Sequence, residues 1–155
     1  MDSGSRSGPR SACDVVTDPL AVVRDRARTN LFWRTLGVEV EDAKDGWVRL
    51  KIPIRDDLRN AGGAPVHGGV YSALVDMAVG GALSTLHEAA AGGVGQATLD
   101  LNVSFVGAVT EGPIFAEGRI IKRGRTIAFG EARIVDAQDR LLAVGRATYM
   151  ILPRS

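Results

Sequence analysis

From Val70 to Leu86 the chain carries one charged side chain, Asp76, in a run that is otherwise apolar, small or hydroxylic. No polar face recurs at helical spacing, so the pattern predicts a helix over roughly Gly68 to Ala90 that is buried almost all round. Upstream, Thr17 or Asp18 followed by Pro19 is a helix start signal. Leu20, Val23, Ala27, Leu31 and Phe32 then supply an apolar stripe as far as Leu36, with Gly37 closing one first helix. Val38–Ala43 and Trp47–Ile54 alternate apolar and polar residues about Lys44-Asp45-Gly46, the pattern of a hairpin. After the central helix come four strand-like stretches, 95–106, 112–123, 126–136 and 140–152, parted by Gly107-Ala108, Gly124-Arg125 and Ala137-Gln138-Asp139. A helix apolar on every side must be enclosed, so this order predicts an α+β fold in which one antiparallel sheet wraps around one long central helix.

Composition narrows the picture. The 155 residues suit a single domain. Residues 1–17, rich in Ser, Gly and Arg, are expected to form a disordered polar leader, leaving 18–155 as the folded domain. Lys and Arg total 19 against 18 for Asp and Glu, which leaves no electrostatic footprint for nucleic acid and no basic block for a membrane surface. The single cysteine, Cys13, supports neither a disulfide framework nor a thiolate metal cluster. No apolar run approaches the roughly 20 residues needed to span a bilayer, so a cytoplasmic protein acting on a small molecule or on a second copy of itself is expected.

The candidate chemistry centres on Asp76. An ionised carboxylate buried without a partner costs several kcal/mol or titrates instead, so the residue needs a reason. Pro65-Val66-His67-Gly68-Gly69 feeds the first turn of the same helix, where unpaired amides and the positive end of the dipole would stabilise a developing negative charge. Carboxylate and helix start together are a plausible catalytic pair. The two histidines, His67 and His87, are too far apart to suggest a metal site.

Asn60, His67-Gly68-Gly69, Asp76 and Thr98-Leu99-Asp100-Leu101-Asn102-Val103-Ser104-Phe105 resemble the motif of the hotdog-fold acyl-CoA thioesterases, PaaI-type branch. Leu36-Gly37 and Lys122-Arg123-Gly124-Arg125-Thr126 fit the same pattern, and the likeness runs from about Leu36 to Leu152. The resemblance implies hydrolysis of an acyl-CoA to free acid and CoA, with no cofactor and no metal. It makes Asp76 the general base or the nucleophile and the Gly68 N–H the oxyanion donor. His67 becomes a positioning residue. Asn60 would donate to the carbonyl oxygen or hold Asp76, although it stands one residue farther from His67 than the motif has it. Thr98 would order the attacking water from the neighbouring subunit, and strand alternation places Asp100 and Asn102 on its face. Lys122, Arg123 and Arg125 would meet the CoA phosphates, and an apolar slot beside Val70, Tyr71 and Leu74 would take the pantetheine arm. The family also implies a homodimer at minimum, and further a homotetramer. Two rivals stand: a non-catalytic acyl-CoA-binding protein, and an acyl-thioester hydratase or dehydratase, which would need a histidine that 56–66 lacks.

Overall fold

The computed structural model describes residues 18–87 and 95–153; the expected leader, and the last residues expected in the central helix, lie outside these. Two short helices, α1 (Pro19–Thr29) and α2 (Leu31–Leu36), precede β1 (Glu39–Lys44) and β2 (Trp47–Pro53). A 3-10 turn at Asp56–Leu58 leads into the central helix α3 (Gly68–Ser84), followed by β3 (Gly95–Phe105), β4 (Pro113–Arg123), β5 (Ile127–Val135) and β6 (Leu141–Leu152). The strands form one sheet in the order β1-β2-β4-β5-β6-β3, antiparallel throughout. This is the hotdog architecture, with α3 as the filling.

The single first helix expected from the apolar stripe is instead two. Asn30 adopts extended backbone and its side chain accepts the N–H groups of Phe32 and Trp33, so it caps a new helix rather than continuing the old one. The break turns Leu31 and Phe32 to solvent, 75% and 56% exposed, and buries Trp33 and Leu36 in their place. Gly37 closes α2 at φ +72°, as its position implied.

The central helix also ends earlier than expected. Ser84 Oγ and Thr85 Oγ1 donate to the carbonyls of Gly81 and Ala82, and Thr85 Oγ1 accepts the Gly46 N–H at 2.7 Å. Thr85 thereby ties the helix end to the β1–β2 turn. Beneath α3 the register aligns Val48, Gly118, Ala132, Gly145 and Val103 in one row across five strands. Glycine on either side of its middle lets the helix sit against the sheet: a Cβ on Gly118 would lie 2.4 Å from the Ala78 carbonyl.

Enclosure of α3 is incomplete. Gly69, Ser72, Ala73 and Asp76, spaced as one stripe of the helix, keep part of their surface open, whereas Val75, Ala78, Val79 and Ala82 are fully buried. The open stripe runs alongside β3, an edge strand bonded, among the described residues, only to β6.

Candidate active site

Asp76 sits midway along α3, half-buried, facing β3 and β6. Thr98 Oγ1 donates to its Oδ1 at 2.7 Å and the Tyr149 hydroxyl donates to the same oxygen at 2.6 Å. The Tyr149 hydroxyl also lies 2.7 Å from the Asp76 carbonyl oxygen. Burial, and after it the neighbouring carboxylate, pushes the Tyr149 phenol well above its ordinary range, so it remains a proton donor. Oδ2 has no hydrogen-bond partner among the described residues. The carboxylate is thus held from one side and free on the other.

Tyr149 was not singled out from the sequence. The signal was there, since Gly145, Ala147, Tyr149 and Ile151 all point inward from β6 and Tyr149 alone among them has a polar tip that needs a partner. A second unforeseen group is Arg26 on α1. Its guanidinium lies 5.6 Å over the Trp33 ring, its Nε is buried without an acceptor, and it is in electrostatic reach of Tyr149 and Asp76. Burial lowers its pKa, and the nearby Tyr149 and Asp76 partly offset this. Nothing in a helical heptad distinguishes such an arginine from a surface one. Farther along α3, Gln96 Nε2 donates to the Gly80 carbonyl at 2.9 Å, and its Oε1 lies 2.9 Å from His87 Nε2. Burial lowers the His87 pKa, with Gln96 opposing and Arg123 and Arg26 adding to the effect.

The helix start is arranged as the motif suggested. His67 is the N-cap residue, its Nδ1 accepting the Gly69 N–H at 2.8 Å, and its carbonyl takes the Val70 N–H at 2.9 Å. Nδ1 is therefore engaged in capping. The Gly68 N–H, just before those two, donates to no acceptor among the described residues. Phe105 lies over it, its Cε1 3.2 Å from where a Gly68 Cβ would be.

Other expected residues fall differently. Asn60 is exposed and its amide donates to the Pro65 carbonyl at 3.2 Å, closing the loop before α3; it makes no hydrogen bond to Asp76 of its own chain. Thr98 does, within its own chain. Asp100 and Asn102, expected on the Thr98 face, lie on the opposite one. A β-bulge at Leu99 shifts the register so that Thr98 pairs with inward Tyr149 but Asp100 with outward Thr148 and Asn102 with outward Arg146. The same shift turns Leu101, Val103 and Phe105 inward. The slot expected beside Val70, Tyr71 and Leu74 is closed, because all three are core residues of this chain. Lys122, Arg123 and Arg125 are exposed at the β4–β5 turn. The described residues hold no cluster of three or more His, Cys, Asp or Glu suited to a metal ion, and none of their helices is long and apolar enough to cross a membrane.

Residues 65–143, spanning α3 through the start of β6, match the family model of the thioesterase superfamily. A protein of Halobacterium salinarum provisionally named an esterase is 38% identical over 143 residues, which cover 86% of this chain and 93% of that one. Among solved structures, a thioesterase family protein from Silicibacter pomeroyi superposes with a TM-score of 0.77 at 26% identity, over 88% of this chain and 99% of the other. A thioesterase from Haemophilus influenzae gives 0.76 at 25% identity, covering 86% and 90%. A family match over the segment that holds the helix start, Asp76 and Thr98, on the same architecture, places this chain in the thioesterase superfamily.

Proposed function

We propose that this protein hydrolyses acyl-CoA thioesters to the free acid and CoA. The observation that carries the reading is the half-buried Asp76, gripped at one oxygen by two hydroxyls, on a helix whose first amide is uncommitted. Asp76 either takes a proton from water, whose oxygen adds to the thioester carbon, or adds to that carbon itself and is later released by water. In both cases the carbonyl oxygen gains negative charge, for which the Gly68 N–H and the helix dipole are the acceptors' complement. The C–S bond then breaks, and the CoA sulfur leaves as thiol after taking up a proton. Lys122, Arg123 and Arg125 are cations available to CoA phosphates.

The active unit in this reading is at least a homodimer, and further a homotetramer. Gly68 and Asp76 are eight residues apart on one helix, about 12 Å along its axis. A carbonyl group is too small to touch an oxyanion donor at about 3 Å and a carboxylate at roughly 3–3.5 Å across that span. The start of α3 in one copy would have to meet Asp76 of another. The open stripe of α3 and the inward residues Leu101 and Phe105 of β3 supply the uncovered surface for such a contact.

Thiol release from short, medium, long and aryl acyl-CoAs, compared between the wild type and Asp76→Ala, tests the proposal. Turnover on one class, with a loss of several hundredfold or more in a folded variant, is expected. Equal turnover in the two proteins would remove Asp76 from the chemistry. Acyl-CoA binding without turnover would favour a non-catalytic binding protein.

A further inference from the structure

Tyr149 takes no step in the reaction described above, yet it makes the shortest bond to the residue on which that reaction depends. Its hydroxyl and that of Thr98 both donate to Asp76 Oδ1, at 2.6 and 2.7 Å, so the two donors are concentrated on one carboxylate oxygen rather than shared between them. A carboxylate free to rotate about its last torsion would present either oxygen equally, because the terminal sp³–sp² torsion is broad. Two donors on Oδ1 remove that freedom. One turn farther along α3, Gly80 offers no side chain, and a Cβ there would lie 2.7 Å from the Tyr149 hydroxyl and 3.2 Å from its Cζ. The hydroxyl can reach Asp76 only over a residue with nothing beyond Cα. Gly80 and Tyr149 are thus a matched pair, contributed by the central helix and the strand β6.

We propose that Tyr149 is a positioning residue for Asp76: together with Thr98 it pins Oδ1, leaves Oδ2 as the oxygen that meets water or the acyl carbon, and depends on the missing side chain at Gly80 to do so. The inference rests on the thioesterase reading of Asp76. Tyr149 itself stays neutral, since burial beside Asp76 disfavours its phenolate. Arg26 lies in reach of both and opposes that shift only in part.

The test is a kinetic comparison of the full-length wild type, Tyr149→Phe, Gly80→Ala, the double variant carrying both changes, Thr98→Val and Asp76→Ala, on whichever acyl-CoA is turned over. Tyr149→Phe keeps the ring and loses only the hydroxyl. Its kcat should fall roughly ten- to hundredfold, the range for losing a hydrogen bond to a charged group, while KM stays within about twofold. Thr98→Val should show the same split, with kcat lowered and KM little changed, and leave Tyr149 in place. Gly80→Ala should reproduce the Tyr149→Phe signature, and the two changes together should be no worse than either alone, because both act through the same hydroxyl. If Gly80→Ala does not fold, the kinetics of Tyr149→Phe and Thr98→Val decide the matter. A Tyr149→Phe enzyme with unchanged kcat, beside an inactive Asp76→Ala, would overturn this inference and leave the thioesterase reading standing. A lower kcat accompanied by a comparable rise in KM would show a merely structural tyrosine and overturn it as well. Undiminished turnover in Asp76→Ala would bring down the reading of Asp76 and this inference with it.

Discussion

Two aspartates of this protein show how local donors decide between a reactive and a structural carboxylate. Asp136, at the β5–β6 turn, is 2% exposed and satisfied at both oxygens: Oδ1 accepts the N–H groups of Gln138 and Arg140, each at 2.9 Å, and Oδ2 accepts Arg140 Nε at 2.6 Å. Burial alone would raise its pKa, but the Arg140 and Gln138 donors outweigh it and hold the carboxyl below its usual range. Nothing is left over for a substrate. Asp76 receives its donors at one oxygen only, and the other stays open. The depressed pKa of Asp136 means that the unfolded chain binds the proton more readily. Its contribution to stability is therefore present above the unfolded carboxyl pKa, near 4, and is lost as pH falls through the folded value. Asp136→Asn should melt below the wild type at pH 7, and the gap should narrow in melts taken progressively below about pH 4. A gap of constant size from pH 7 to 3 would show that ionisation of Asp136 contributes nothing.

At the scale of elements, the position of the site follows from how closely α3 approaches the sheet. The row Val48, Gly118, Ala132, Gly145, Val103 forms a shallow trough, shallowest in side-chain bulk where the strands pass under Ala78 and Val75. Seating the helix there brings Asp76 down to hydrogen-bond distance of Thr98 and Tyr149. A methyl group on Gly118 would meet helix backbone rather than a movable side chain, so α3 would have to lift. Gly118→Ala should cost at least the 1–3 kcal/mol typical of overpacking, seen as a lower denaturant midpoint at unchanged m-value. Unaltered stability would mean that the approach is looser than this. The bulge at Leu99 is the other element-scale determinant, because it lets one strand turn Thr98 toward Asp76 and, three residues on, Leu101 to the same side.

The whole chain, taken alone, is an unfinished surface. β3 has a free edge, and Leu99, Leu101, Phe105 and Val106 along it are between 38% and 57% exposed, next to the open stripe of α3. An exposed edge strand with apolar side chains invites pairing, and a copy of the chain related by a two-fold axis offers an identical edge. Static light scattering at micromolar concentration should accordingly give at least twice the chain mass. A monomer there would contradict the proposed shared site, since the span between Gly68 and Asp76 on one helix forbids a complete site within one chain. Outside the sheet, Arg49, Glu41, Glu117, Arg133 and Asp139 form a linked set of ion pairs with Arg49 stacked 4.4 Å over the Phe115 ring, a solvated face that would stay clear of a contact made along β3.

Much of this was legible in the residues. The apolar run around Asp76 implied an enclosed helix, the alternating stretches implied six strands in the observed order, and Gly37 and Gly46 marked a helix end and a hairpin turn that the structure contains. These are properties of short windows, where periodicity and turn chemistry act locally and no distant partner is needed to read them. What the sequence could not determine depended mostly on contacts between residues far apart in the chain. Asn30 is the local exception: its own side chain competes with the helix, and the α1 stripe alone does not say which will win. The bulge at Leu99 inverts the faces of every later residue on β3, a change that alternation counting cannot detect because it arises from the register with β6. Tyr149 reaches Asp76 only because Gly80 and the glycine row bring helix and sheet so close. Periodicity is a one-dimensional property, and register and distance are three-dimensional: the sequence alone determined which elements form, while only the packed structure decided which hydroxyls hold Asp76 and which of its oxygens is left free.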